Sequence, residues 1–240
     1  MNNSAKTAPI EFSDLVPPVD LSARERLALL IVDMQYHDAS PDHGLTLAFE
    51  RISPGSMDYY SNRLRTQTVP AIKELLEFFR SEEMQVIHLT LGSDYRDLRD
   101  CPPRFRTWTR NLERAAGVQD IWWSQNPNFQ ILEELRPLAG ETVIQKTTNG
   151  AFNGSALDST LRRMGITSLI TTGVITSACI DVTARDAADR GYDCVVVEDA
   201  TADYDATIHE ATLRSFALNF GRVARSVKGL ISKIKARELV

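Results

Sequence analysis

Strand-like apolar runs alternate with stretches of helical periodicity about six times along this chain, and that alternation leaves few folds open. The first run, Leu27 to Val32, has no polar interruption, as a strand buried on both faces requires. Val69, Ile72, Leu75, Leu76 and Phe79 then recur at helical spacing, which predicts a helix over 58–81 with a kink or break at Pro70. Further strands are predicted at 84–91, 142–145, 168–172 and 193–198, with a short one near 222–226. Helices are predicted from Asn128 to Arg136, over 155–164, 178–190 and 206–218, and at the end of the chain. Gly165 and Gly191 stand where two of these helices should stop. The pattern predicts an α/β fold with a doubly wound, mostly parallel sheet and helices on both faces.

In such sheets ligands bind outside the carboxyl ends of the strands, so residues just after strands are where chemistry is expected. Asp33 closes the first strand and Lys146 the third, and Cys179 follows the fourth where a helix begins. The free N–H groups of that helix start and the Lys146 ammonium would favour a Cys179 thiolate. Asp33 could take the thiol proton and return it to a departing amine. His37, His43, His88 and His209 suggest no Cys–His pairing at these strand ends. Taken singly, a cysteine after a strand is most often a small buried hydrophobe, and an aspartate there a cap. The combination in one chain order, with glycines beside it, points to one site. Gly173 permits a sharp turn that would present backbone N–H groups to an oxyanion, and Gly150 and Gly154 flank Phe152 beside Lys146.

The segments LLIVDMQ, VIQKTTNGAFNGSALDSTLRRMGI and LITTGVITSACIDVTARDAADRGYDCVVVEDA resemble the isochorismatase-like cysteine hydrolases. That group includes nicotinamidases, N-carbamoylsarcosine, ureidoacrylate and biuret hydrolases. The resemblance runs from about Leu27 to Ser226 and implies a six-stranded parallel sheet with Asp33, Lys146 and Cys179 as a catalytic triad. It also implies a cis peptide between Val174 and Ile175, an oxyanion hole from the N–H groups of Ile175 and Cys179, and a homodimer or homotetramer. Cys179 favours hydrolysis of a C–N bond in a small amide, carbamoyl or ureide compound through a thioester. Isochorismatase-type cleavage of a vinyl ether, or an idle oligomeric binding scaffold, are the alternative readings. The segment LGSDYRDLRD lacks the histidine of the nicotinamidase metal site, so no metal and no cofactor are expected. Tyr36-His37-Asp38 departs from the usual family pattern after Met34-Gln35 and leaves the pocket wall open to question.

Substrate-contact candidates are Gln35, Arg104, Arg106, Trp108, Asn149, Phe152 and Asn219. Arg96, Arg99, Arg104 and Arg106 suit a carboxylate or a ureide carbonyl, or else form a solvated or intersubunit face. The polar stretch 92–127 is too long for an ordinary connection, which predicts a functional or oligomer-contact role, and Trp108 to Trp123 is a candidate interface. Residues 1–22, with Pro17 and Pro18, are read as an extended arm, laid over a neighbour, ahead of a single domain at 23–240. A net charge of −5 without like-charge blocks argues against nucleic acid or an anionic membrane as partner. Three scattered cysteines, Cys101, Cys179 and Cys194, do not make a disulfide framework. With no export signal evident, a cytoplasmic location is expected.

Overall fold

Alternate residues of the first strand, β1 (Leu27–Val32), enter opposite cores. Leu27, Leu29 and Ile31 join one cluster, whereas Ala28, Leu30 and Val32 join the other. A strand with two buried faces must lie inside a sheet, and β1 does so in the computed structural model, which describes residues 16–240. After β1 come four helices, α1 (Tyr36–Ala39), α2 (Gly44–Ile52), α3 (Asp58–Arg63) and α4 (Val69–Ser81), and then β2 (Gln85–Leu91). Helix α5 (Pro103–Ala116), β3 (Thr142–Lys146), α6 (Leu157–Arg163) and β4 (Ser168–Val174) follow. The chain ends with α7 (Asp181–Asp189), β5 (Asp193–Ala202), α8 (Ala206–Asn219), β6 (Arg222–Ala224) and α9 (Val227–Ala236).

All six strands are parallel, in the order β3-β2-β1-β4-β5-β6. One face packs on α4 and α9 through Ile72, Leu76, Leu230 and Ile234. The other packs on α6, α7 and α8 through Leu157, Ala184, Leu213 and Phe216. The strand order reverses between β1 and β4, so a crevice opens past their carboxyl ends. Gly173, at φ +113°, sits against β1 there: a Cβ would lie 2.1 Å from the Val32 carbonyl oxygen. Only glycine permits so close an approach.

Several boundaries differ from the sequence reading. Between α3 and α4 a π-helical turn, Leu64–Thr68, places Pro70 in the first turn of α4. That turn absorbs the missing proline N–H, so the segment continues instead of breaking. No helix runs from Asn128 to Arg136; there are two 3-10 turns, Pro127–Phe129 and Glu133–Leu135. Their backbone is engaged elsewhere, since Tyr36 N–H donates to Gln130 and Leu132 N–H donates to Met34. The cap belongs to Asn126, whose side chain accepts from Asn128 N–H. The stretch 92–127 contains α5, which its polarity had concealed.

Residues 1–15, most of the expected arm, lie outside the described residues. Val19 and Val240 exchange both backbone hydrogen bonds at 3.0 Å, and Val19 and Leu21 are buried. Residues 19–21 are thus docked on the C-terminus of their own chain, where apolar side chains find cover without a neighbour. Among the described residues no helix is long and apolar enough to cross a membrane.

Candidate active site

Asp33 ends β1 in the left-handed region, at φ +53°, with its N–H bonded to Leu89. Lys146 ends β3, which stands two strands from β1. Its side chain crosses the end of β2, a span of roughly 10 Å between the outer strands. Lys146 Nζ donates to Asp33 Oδ2 at 2.7 Å and to the Thr148 carbonyl at 3.1 Å. Both residues are buried.

Cys179 lies in a five-residue π-helical turn, Thr176–Ile180, that leads into α7. The Val174–Ile175 peptide ahead of it is cis. Two side-chain contacts hold this turn. Ser177 N–H donates to Asp203 Oδ2 at 2.6 Å, and Thr176 Oγ1 and His209 Nδ1 lie 2.9 Å apart. Behind His209, Arg63 spans Nε2 of that ring, the Thr201 and Glu198 carbonyls and the Glu198 carboxylate. On the other side Thr183 Oγ1 accepts from Ala151 N–H, tying the Lys146 loop to α7. Asp203 and Arg63 escaped the sequence reading, which had named His209 only to set it aside as a partner for Cys179; each acts through tertiary contact and none stands beside Cys179 in the chain.

The electrostatics overturn one expectation. Burial pushes the Cys179 thiol well above its usual value, and the Asp33 carboxylate adds to the rise, against the opposing Lys146 ammonium. The resting group is a thiol, because desolvation outweighs the pull of the Lys146 ammonium. Burial also raises Asp33, with Lys146 pulling the other way and Asp38 adding to the rise. Burial alone would lower Lys146, but Asp33 and then Cys179 carry it above its ordinary value. The thiol is 3.9 Å from Asn149 Oδ1, while Asp33 Oδ1 is buried with no hydrogen-bond partner of standard geometry. An acceptor left open beside an un-ionised thiol is suited to receive its proton.

Asp33, Cys179, Ile175 and Asn149 line a cavity of about 840 Å³. Arg104 and Trp108, both on α5 and exposed, line its outer part, with Trp108 standing 5.6 Å from the ring of Trp122. Four other expected contacts are absent from this lining. Gln35 is fully buried beneath it, where Nε2 donates to the Phe129 carbonyl and Oε1 accepts from Leu91 N–H. Its amide braces the loop after β1. Arg106 is on α5 but not on its cavity side. Phe152 packs in the core between Tyr192 and the Arg190 guanidinium. Asn219 ends α8, with its amide donating to the Ser215 carbonyl over a separate depression. Arg96 is held by Asp120 and Arg99 by Asp97, both at the surface. Trp122, expected at an interface, is buried as a cavity wall. Asp38, Tyr204 and Phe105 also line the cavity and were not singled out by the sequence. The break in the family pattern at Tyr36-His37-Asp38 was the one signal for Asp38.

Comparison with known proteins places this architecture. The isochorismatase domain family matches residues 27–227. A ureidoacrylate amidohydrolase RutB from Variovorax paradoxus is 38% identical over 210 residues, covering 86% of this chain and 81% of that protein. The RutB of Caulobacter segnis is 29% identical, covering 88% and 87% respectively. A crystal structure of a cysteine hydrolase from Pseudomonas syringae pv. phaseolicola superposes with a TM-score of 0.75 at 24% identity, over 92% of this chain and 97% of that one. N-carbamoylsarcosine amidase from Thermoplasma acidophilum gives a TM-score of 0.58 at 26% identity, over 83% and 96%.

Proposed function

The chain belongs to the isochorismatase family, and from that membership and its own cavity we propose that it is a cysteine-dependent amidohydrolase of small amides, carbamoyl compounds or ureides. The observation that carries this reading is the meeting, at one cavity floor, of a buried thiol and a carboxylate fixed by an ammonium 2.7 Å away.

The order of steps follows from the charges. Asp33 takes the Cys179 proton as sulfur attacks the carbonyl carbon, because a free thiolate is disfavoured by burial. The C–S bond forms and the carbonyl π pair moves to oxygen. The N–H groups of Ile175 and Cys179 receive that oxyanion, and each such donor is typically worth about 10²–10³ in rate. The C–N bond then breaks, and the departing nitrogen takes the proton from Asp33. Water enters, Asp33 removes one of its protons, and hydroxide attacks the thioester carbonyl. The C–S bond breaks and sulfur recovers the proton. Lys146 is never the base: the Asp33 carboxylate holds it as an ammonium, and its charge favours the ionised, oriented Asp33. The two RutB relatives are named for ureidoacrylate, and the outer position of Arg104 suits a carboxylate on the leaving portion.

Ammonia or amine release from a panel of carbamoyl compounds, ureides and primary amides tests this function. Cys179→Ala is expected to lose at least about 10⁴-fold in kcat. Rapid-quench mass spectrometry of the parent enzyme should find an acyl adduct on the peptide containing Cys179. Undiminished turnover by the alanine variant ends the nucleophile assignment.

A further inference from the structure

The cavity contains a second carboxylate that the proposed chemistry does not use. Asp38, on α1, is 4% exposed and lines the same cavity as Asp33 and Cys179. Its satisfied side is narrow. The Trp122 indole N–H is shared between Oδ1 at 3.2 Å and Oδ2 at 3.4 Å. His37 Nδ1 is 3.2 Å from Oδ2 but outside hydrogen-bond geometry. Among the described residues no lysine or arginine pairs with Asp38. A carboxylate offers about four lone-pair sites, so most of its accepting capacity is left for an occupant of the cavity.

Position decides which part of an occupant that is. Asp38 is close enough for its charge to act on Asp33, Lys146 and Cys179 together. Arg104 and Trp108 stand toward solvent on α5. A bulky leaving group must depart through that open side, which turns the small acyl-side substituent of the scissile carbonyl toward Asp38. A methyl group there would strip water from an unpaired carboxylate and give nothing back, whereas an –NH2 group donates to it.

We infer that Asp38 is a specificity residue that accepts hydrogen bonds from an unsubstituted –NH2 on the acyl side of the scissile carbonyl, selecting ureides over simple acyl amides. This rests on the proposed hydrolase reading for the direction of the substrate. Because Asp38 is among the charges that hold the thiol protonated, an –NH2 donor seated on it also eases proton loss from Cys179.

The test uses an isosteric pair with one leaving group, N-carbamoyl-β-alanine and N-acetyl-β-alanine. Turnover is measured on the parent enzyme, and calorimetric binding on the Cys179→Ala variant. The carbamoyl compound is expected to lead by about tenfold to a hundredfold in kcat/KM and in affinity. Asp38→Leu should erase that lead by weakening the carbamoyl compound alone, and Asp38→Asn, which keeps an acceptor, should retain part of it. A lead that survives Asp38→Leu overturns the inference, as does equal handling of the two compounds by the parent. A loss shared equally by both compounds in both variants also overturns it, as damage to the fold would. Selective binding that depends on Asp38, without turnover of either compound, would leave the inference standing and end the hydrolase reading instead. Turnover without selection would do the reverse.

Discussion

Two ionic clusters are built at the two ends of β3, and they treat their carboxylates in opposite ways. At its start, Glu141 receives Arg80 Nε and Nη2 at 2.7 and 2.9 Å, Leu138 N–H at 2.9 Å and His88 Nε2 at 3.1 Å. Burial would raise this group, yet the four donors bring it down to about 2. At the far end, Asp33 has Lys146 at 2.7 Å and an Oδ1 without a hydrogen bond of standard geometry, and burial leaves it raised. The difference is one of saturation. A carboxylate surrounded by donors gives stability and no longer wants a proton. One held by a single cation in a dry site stays ionised yet ready to accept one.

The contrast predicts a clean exchange of phenotypes. Asp33→Asn is expected to lower kcat/KM by about 10³-fold or more, the usual scale for losing a general base. In the parent, activity should rise with pH along a limb set above the ordinary Asp value of 3.8 and hold level past pH 9, since Cys179 and Lys146 are both raised. A fall in rate centred near 9.0 would show an ordinary thiol and remove the distinction between the clusters.

Glu141→Gln should leave kcat/KM within a few-fold and cost about 2 kcal/mol in urea unfolding at pH 7, because Arg80 keeps only a neutral acceptor. The sign of the acid response follows from the depressed value. Glu141 binds its proton more readily in the unfolded chain, at 4.5, than in the folded one, at about 2. Its contribution is complete above pH 4.5 and disappears as pH falls toward 2. Glu141→Gln should flatten that limb of the stability curve. An unchanged limb would mean that the cluster carries no such linkage.

A smaller effect is expected from His209→Gln. It loosens the contact to Thr176 without touching the cavity, so kcat should fall about tenfold with KM little changed, roughly 1.4 kcal/mol in the barrier. An equal loss of thermal stability and no change in kcat would make His209 purely structural.

Much of this molecule was legible in one dimension. The unbroken apolar run of β1 announces a strand with two buried faces, and the structure divides its residues between two cores. Strand-end positions directed attention to Asp33, Lys146 and Cys179 because the parallel topology collects such residues on one rim. Helix α5 was hidden, since ten of its fourteen residues are not buried and its apolar stripe is narrow. Asn128–Arg136 read as helical because its side chains permit a helix, while its backbone is committed to the loop after β1. Gln35 and Phe152 looked like contacts for substrate because they neighbour triad candidates in sequence, yet their side chains turn into the protein.

By itself the sequence determined the strand–helix order and the parallel sheet, and it singled out Asp33, Lys146 and Cys179 as candidates, because periodicity and local residue type are properties of neighbours along the chain. Only the tertiary structure decided that burial raises the Cys179 thiol, that Asp38 lines the same cavity, and that His209 and Arg63 back the turn that carries Cys179. Protonation and side-chain direction depend on how much water is removed and on which groups arrive from distant segments, and both are settled only when the elements pack.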